Sequence, residues 1–281
     1  MPKTKTTKTK TTKTTELHYF SFSSDVLIKS CPLPKEMIHS INAKTHTLTI
    51  EAVQALSLSE YLKKTKKHME YNDVEKMIHM IGKQLQRMET MDKGIASFNL
   101  DDISVFYTHP PRGASRGASR GASDSDTDTD GSASADTADT TTATTDTATV
   151  IHFALTNDDK VCDFDDAEQQ HLKITTPYKP EYTSSSSSSS HKPGNNNKAF
   201  ISPEFKDFIS KKTLPYSIHF KSGYYSFGLL CAHCFVSKTA VAPATNADVA
   251  TVLAPIIHTK IYWFLKRVLD ENPTARRYLN S

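Results

Sequence analysis

The first regular pattern in the chain is a set of short runs rich in β-branched or aromatic residues. Residues 19–22, 26–29 and 47–53 are of this kind and are bounded by polar breaks, so each is predicted to be a strand. Two further runs, at 150–155 and 160–162, are also predicted strands. From there to residue 198 the chain has no regular pattern, and no element is predicted.

Helical periodicity replaces these runs from residue 57. A short helix is predicted at residues 58–62, followed by a long one with apolar residues every three or four positions. Asn72 and Glu75 have the spacing of a capping box at its start, and Gly94 is a natural stop. The apolar stripe, which indicates packing against a core, consists of Val74, Met77, Ile78, Ile81, Leu85 and Met88.

Two later segments also predict helices. Residues 224–236 are apolar almost all round, as in a helix that is buried on every side. Residues 256–269 form the last predicted helix, which Asn272 and Pro273 end. Together with the strands, these helices predict a mixed α+β domain.

Four stretches carry too few apolar side chains to form a core. Residues 3–15 contain only Lys and Thr, residues 112–123 repeat Arg-Gly-Ala-Ser three times, residues 124–149 are mostly Asp, Thr, Ser and Ala, and residues 184–190 are all Ser. Because they bury so little apolar surface, we expect these stretches to be disordered. About 200 residues remain, which is enough for one domain.

The charge pattern does not favour nucleic acid or a membrane as a partner. The formal net charge is +3, five lysines lie within the first sixteen residues, and the charged residues of 124–146 are all acidic. No aromatic residues interleave with the basic ones, as stacking of single-stranded bases would require. No window approaches the roughly eighteen apolar residues of a membrane span, so we expect no membrane contact.

The cysteines favour a reducing, intracellular compartment. Cys31, Cys162, Cys231 and Cys234 are too few to form a disulfide framework in a chain of 281 residues. Cys231 and Cys234 have the spacing of half a zinc site, but no second pair follows, and both lie in the predicted buried helix. We therefore expect no zinc.

Several short segments, taken in order, resemble the motifs of the protein kinase family. Asp163-Phe164 and Pro203-Glu204 stand in the order, and near the separation, of the Asp-Phe-Gly and Ala-Pro-Glu motifs that bracket the activation segment. The other matches are the long helix at 72–92, the catalytic-loop segment at 94–105, the start of the buried helix at 221–228, and residues 272–276. Each motif alone is weak evidence for the resemblance, whereas the ordered set is stronger evidence.

The resemblance implies a fold and a division of the chain. The fold would be α+β and protein-kinase-like, with a reduced β-rich small lobe and a mainly helical large lobe. Residues 1–17 would be a disordered Lys/Thr-rich tail, residues 18–55 the truncated small lobe, and residues 56–281 the large lobe. Low-complexity inserts would interrupt the large lobe at 109–149 and 183–198.

The resemblance also assigns residues to the metal and catalytic positions of kinases. Asp163 matches the metal-binding Asp, and Ser104 replaces the Asn that binds the second metal. Asn99 replaces the catalytic Asp, and a carboxamide cannot accept the proton of an acceptor hydroxyl at neutral pH. Asp102 would substitute for that base if the loop register differed by a residue or more.

The chain matches even fewer of the kinase positions that bind nucleotide. No Gly-rich phosphate loop precedes residue 50, and only Lys29 and Glu51 match nucleotide-binding positions. In contrast, Glu204 and Arg276 match a structural pair that ties the activation segment to the large lobe. Gly223 replaces the Asp that braces the catalytic loop in kinases.

These matches predict a catalytically impaired kinase-like domain that acts as a binding or regulatory module. Its partners would be proteins, such as an active kinase or the substrate of one. The alternative is a weak or atypical Ser/Thr protein kinase that transfers phosphate from Mg-ATP with the help of Lys29, Asp163 and Asp102. Mg-ATP is the only cofactor that the resemblance admits.

Overall fold

A computed structural model of the chain describes residues 17–65, 68–109, 149–165, 170–177, 199–236 and 246–278. This part is a mixed fold of seven α-helices and four small antiparallel sheets, so the predicted α+β class is confirmed. The predicted disorder of residues 1–17, 109–149 and 183–198 falls almost entirely outside these ranges. Within them, no helix has the length and apolar character needed to cross a membrane.

The elements have the following bounds in chain order. The strands are β1 (His18–Ser23), β2 (Ile38–Asn42), β3 (Thr47–Ala52), β4 (Gln54–Ser57), β5 (Lys93–Ile95), β6 (Ser97–Phe98), β7 (Ile103–Thr108), β8 (Val150–Leu155), β9 (Val161–Phe164), β10 (His171–Ile174), β11 (Phe200–Ile201) and β12 (Tyr216–His219). The helices are α1 (Asp25–Ser30), α2 (Leu58–Lys64), α3 (Tyr71–Glu89), α4 (Pro203–Lys211), α5 (Ser222–Val236), α6 (Asn246–Leu253) and α7 (Lys260–Val268). The sheet orders are β1-β3-β2, β4-β7-β8, β12-β10-β9-β5 and β11-β6.

Most of the predicted strands are confirmed. The runs at 19–22 and 150–155 lie in β1 and β8, and the runs at 47–53 and 160–162 overlap β3 and β9. Strand β10 lies in the segment without a pattern and was not predicted. It forms because its two apolar residues, Leu172 and Ile174, alternate with polar ones and are buried in a core with α4.

The predicted strand at residues 26–29 is wrong, because helix α1 forms there. The hydroxyl of Ser24 accepts a backbone N–H bond from the first turn and so caps the helix. The ammonium of Lys29 donates to the carboxylate of Asp25, one turn earlier, at 2.6 Å. These local bonds outweigh the strand propensity of the apolar run, which is a weak and context-dependent preference.

The predicted capping box of the long helix is also wrong. Helix α3 begins at Tyr71, and Glu70 takes the capping position without a side-chain hydrogen bond. The ring of Tyr71 packs against the ring of Phe235 at 6.1 Å, and this contact favours a helix that includes Tyr71. The predicted apolar stripe is confirmed, since all six of its residues are buried.

Two predicted helix boundaries differ from the structure. Helix α7 starts at Lys260 and not at residue 256, because His258 has a φ of 73° and the Thr259 hydroxyl caps the helix at the next position. Helix α3 ends at Glu89, and Gly94 lies in strand β5. The predicted buried helix at 224–236 is confirmed as α5.

Helix α5 is the centre of the main core. It packs against α3, α7 and the short strands β6 and β11, and its apolar residues lie on every side of the helix. At its first turn, Gly223 lies so close to β5 that an added Cβ would overlap the carbonyl oxygen of Ile95. The start of α5 therefore has no room for a side chain at residue 223.

We expect Gly223→Ala to lower the free energy of unfolding by about 1–3 kcal/mol, because the added methyl group meets backbone that cannot move aside cheaply. Thermal and urea unfolding measure the effect. Ser210→Ala, at an exposed position of α4, is the control and should change stability by less than about 0.5 kcal/mol. Equal stability of the two variants would show that β5 yields to the methyl group.

Candidate functional site

A buried polar cluster surrounds the carboxylate of Asp102. This residue ends a 3-10 turn, Leu100–Asp102, between β6 and β7, and it is buried. Its Oδ2 accepts bonds from the backbone N–H of Asn99 at 2.6 Å and from the ammonium of Lys160 at 2.7 Å. Its Oδ1 accepts a bond from the amide nitrogen of Asn157 at 3.1 Å. We call these four residues the Asp102 cluster.

A β-hairpin brings the cluster together. Strands β7 and β8 pair from Ile103 with Leu155 onward, so the residues just outside them, Asp102 and Thr156, lie side by side. The N–H of Thr156 donates to the carbonyl of Asp102 at 2.9 Å, which closes this end of the hairpin. Asn157 and Lys160 follow in the turn before β9 and thus reach a carboxylate more than fifty residues earlier.

The ion pair between Lys160 and Asp102 is shielded from water. The side chains of Lys160 and Asp102 are only 19% and 5% exposed. Charges in such surroundings attract each other more strongly than at the surface, but their desolvation is costly, so additional hydrogen bonds must satisfy them. The bonds from Asn157 and from the backbone of Asn99 provide this for the carboxylate.

Asn99 completes the surroundings of the ammonium group. The hydrogen-bond network assigns its side-chain oxygen as an acceptor from Lys160 Nζ at 2.9 Å and its nitrogen as a donor to the carbonyl of Phe98 at 3.1 Å. Lys160 therefore links the carboxamide of Asn99 to the carboxylate of Asp102. Lys160 and Asn157 were not predicted, because a polar turn of the form Asn-Asp-Asp-Lys is typical of a solvated loop.

Asp163 lies elsewhere, on the sheet of β9. It pairs across the strands with Lys93 of β5 and forms an ion pair with its ammonium. The Asp163 side chain is 70% exposed, so this pair contributes little to stability. Among the described residues, no hydrogen bond or ion pair joins Asp163 to the Asp102 cluster.

The other predicted nucleotide and metal positions have partners of their own. Lys29 lies on α1 in an exposed ion pair with Asp25 at 2.6 Å. Glu51 lies on β3, 3.8 Å from a ring nitrogen of His39. The hydroxyl of Ser104 bonds to that of Thr156 at 2.8 Å, next to the Asp102 cluster but without a contact to its carboxylate.

Glu204 and Arg276 form the ion pair that the resemblance implied. Glu204 Oε1 is 2.7 Å from Arg276 Nη2, and the Arg276 side chain is 0% exposed. The guanidinium also donates to the backbone carbonyls of Lys221, Asp270 and Glu271. The pair thus joins the start of α4 to the start of α5 and to the chain after α7.

The cysteines of α5 lie in the core. Cys231 and Cys234 are fully buried, and burial raises the pKa of both thiols well above the ordinary value. A thiol must lose its proton to bind zinc, so these surroundings oppose metal binding. Across the described ranges, no group of three or more His, Cys, Asp or Glu side chains is arranged to hold a metal ion.

We expect Glu204→Ala to lower the free energy of unfolding by about 3 kcal/mol, because it leaves the buried Arg276 guanidinium without its counter-charge. The control is Asp207→Ala on the same helix, which breaks an exposed pair with Lys211 and should cost less than about 1 kcal/mol. The double variant Glu204→Ala/Arg276→Met should regain part of the loss. Equal costs for the two single variants, measured by urea unfolding, would contradict the expectation.

Comparison with known proteins assigns neither a family nor a function to the chain. No protein-family model matches the chain, and no curated protein is significantly similar to it.

Proposed function

We propose that the chain is a degenerate protein-kinase-like domain that works as a binding or regulatory module and does not transfer phosphate efficiently. One observation carries the proposal: the ammonium of Lys160 lies inside the fold against Asp102, where a kinase-like site would need a free carboxylate and a metal ion. The Glu204–Arg276 pair supports the kinase-like ancestry of the scaffold.

The order of elements supports this interpretation of the Asp102 cluster. In kinases the catalytic loop precedes the metal-binding motif along the chain. Here the loop-like segment ends at Asp102, the hairpin of β7 and β8 follows, and the turn after it carries Asn157 and Lys160. This turn is therefore a second candidate for the metal-binding segment, in addition to Asp163, which the sequence motif suggested.

The residues of the cluster do not fit a magnesium ion. Mg²⁺ prefers about six oxygen ligands in near-octahedral geometry. Both carboxylate oxygens of Asp102 already accept hydrogen bonds, and Asn157 presents its amide nitrogen, which is a donor, to this carboxylate. The ammonium supplies the positive charge that the buried carboxylate requires, so we derive no reaction step through a metal here.

Neither Asn99 nor Asp102 is suited to act as the general base for proton transfer. The carboxamide of Asn99 cannot act as a base, and Asp102 is held in an ion pair and is buried. Loss of a general base typically costs ~10²–10⁴-fold in rate. What remains is a stable surface for a protein partner, and the proposed partner is an active kinase or the substrate of one.

Thermal unfolding with and without Mg-ATP tests the proposal. We expect the melting temperature of the wild-type chain to be unchanged by Mg-ATP, and no phosphate to be transferred to a generic Ser/Thr substrate. A Mg-ATP-dependent stabilisation lost in Asp163→Ala would overturn the claim of a nucleotide-free module. Phosphate transfer lost in Asp102→Ala would establish the alternative, a weak or atypical kinase.

A second measurement asks whether Lys160 takes the place of a metal ion. Lys160→Ala leaves a buried carboxylate without a counter-charge, and we expect it to be destabilised by about 3 kcal/mol in a chelator. Millimolar Mn²⁺ or Mg²⁺ should restore part of that stability in the variant but not change the wild type. Lys160→Arg, which keeps a cation, is the control, and an equal metal response in all three proteins would contradict this role of Lys160.

A further inference from the structure

Strand β1 lies at the edge of the sheet β1-β3-β2 and has one side of its main chain facing outward. All six of its residues pair with β3 in one antiparallel register, from His18 with Ala52 to Ser23 with Thr47. Among the described residues, no hydrogen bond joins the main chain of β1 to any element other than β3. An edge of this kind is a template on which a further strand can pair.

The other six-residue strand at a sheet edge, β8, is covered by helix α3. The side-chain nitrogen of Gln84 donates to the carbonyl of Leu155 at 3.1 Å, and its oxygen accepts the N–H of the same residue at 2.8 Å. The N–H of Phe153 donates to the sulfur of Met80 at 3.4 Å. Side chains of α3 therefore satisfy the edge of β8, whereas no described helix does this for β1.

Strand β1 also lacks the features by which proteins keep edge strands from pairing with one another. Its sequence, His-Tyr-Phe-Ser-Phe-Ser, contains no Lys, Arg, Asp, Glu or Pro, and its register with β3 has no bulge. At the opposite edge of the same sheet, the register of β2 is interrupted between Ile38 and Ser40. Because charges, prolines and bulges all oppose edge-to-edge pairing, β1 is the edge of this sheet that favours it.

The side chains of β1 and of the residue before it leave apolar surface uncovered. Tyr19 is 59% exposed and Leu17 is 47% exposed. Phe20 and Phe22 pack against the ring of Phe106, with ring centroids 6.2 and 5.9 Å away, but both are only half-buried. A second strand alongside β1 would remove part of this apolar surface from water, which favours association.

The alternation of side chains along β1 restricts how a second copy of the chain can align with it. Directly opposed residues of antiparallel strands lie on the same face of a sheet, so the core-side Phe20 and Phe22 must oppose core-side residues. A two-fold axis at Ser21 meets this condition, because it opposes Phe20 of each copy to Phe22 of the other and Ser21 to Ser21. Cross-strand aromatic pairs of this kind stabilise a sheet.

We propose that two copies of the chain associate through β1, antiparallel about a two-fold axis at Ser21, so that two three-stranded sheets become one sheet of six strands. This inference goes beyond the proposed function and does not depend on the resemblance to kinases. A single pair of strands is a small contact beside the roughly 1,600 Å² of a standard interface, so we expect a reversible dimer with a Kd of about 10–100 μM.

Sedimentation of the full chain from about 1 μM to about 500 μM tests the proposal, and the average mass should rise toward that of a dimer. Ser21→Lys opposes two ammonium groups at the axis and should weaken association at least about tenfold. The matched control is Ser40→Lys, an equally exposed position on β2, which should leave association unchanged. A wild type that stays monomeric, or equal association of the two variants, would overturn the proposal.

A charge swap at the axis separates pairing through β1 from any general effect of the substitution. Ser21→Asp alone should also weaken association, because two carboxylates then oppose each other. An equimolar mixture of Ser21→Lys and Ser21→Asp should associate at least as strongly as the wild type, since opposite charges meet across the axis. A mixture that stays monomeric would overturn the pairing at Ser21. Association that appears only after deletion of residues 1–16 would mean that the chain's own tail covers the edge, and would overturn a second copy as the occupant.

Discussion

A guanidinium group without access to water must find a partner for its charge and for its N–H groups inside the protein, and this constraint organises the second half of the chain. Arg276 meets it with Glu204, three backbone carbonyls and the ring of Tyr225, whose centroid is 4.8 Å away. These partners come from the start of α4, the start of α5 and the turn after α7. Because one side chain joins them, the three segments cannot move independently at low cost.

The Asp102 cluster meets the equivalent constraint for a buried negative charge. There a buried carboxylate requires a cation, and Lys160 supplies it from a turn beyond the β7–β8 hairpin. Both pairs close long loops of the chain and stabilise the scaffold.

The parts of the fold that depend on local periodicity could be predicted from the sequence. The stripe of α3 and the all-round apolar helix α5 are examples, since burial follows directly from their spacing. Helix α1 was missed because a cap at Ser24 and a pair with Lys29 decided the outcome over a weak propensity. Lys160 was missed because its partner lies 58 residues away, and no local pattern marks such a contact. Glu204 and Arg276 were found only through the family resemblance.

The contact between Gly223 and the carbonyl of Ile95 has a consequence for how such a chain can evolve. An aspartate at this position would need a wider gap between α5 and β5. Because the gap fits only a glycine, any change to a larger residue would first destabilise the protein. Replacement of this glycine therefore requires a prior shift of the backbone, which selection on activity alone could not favour step by step.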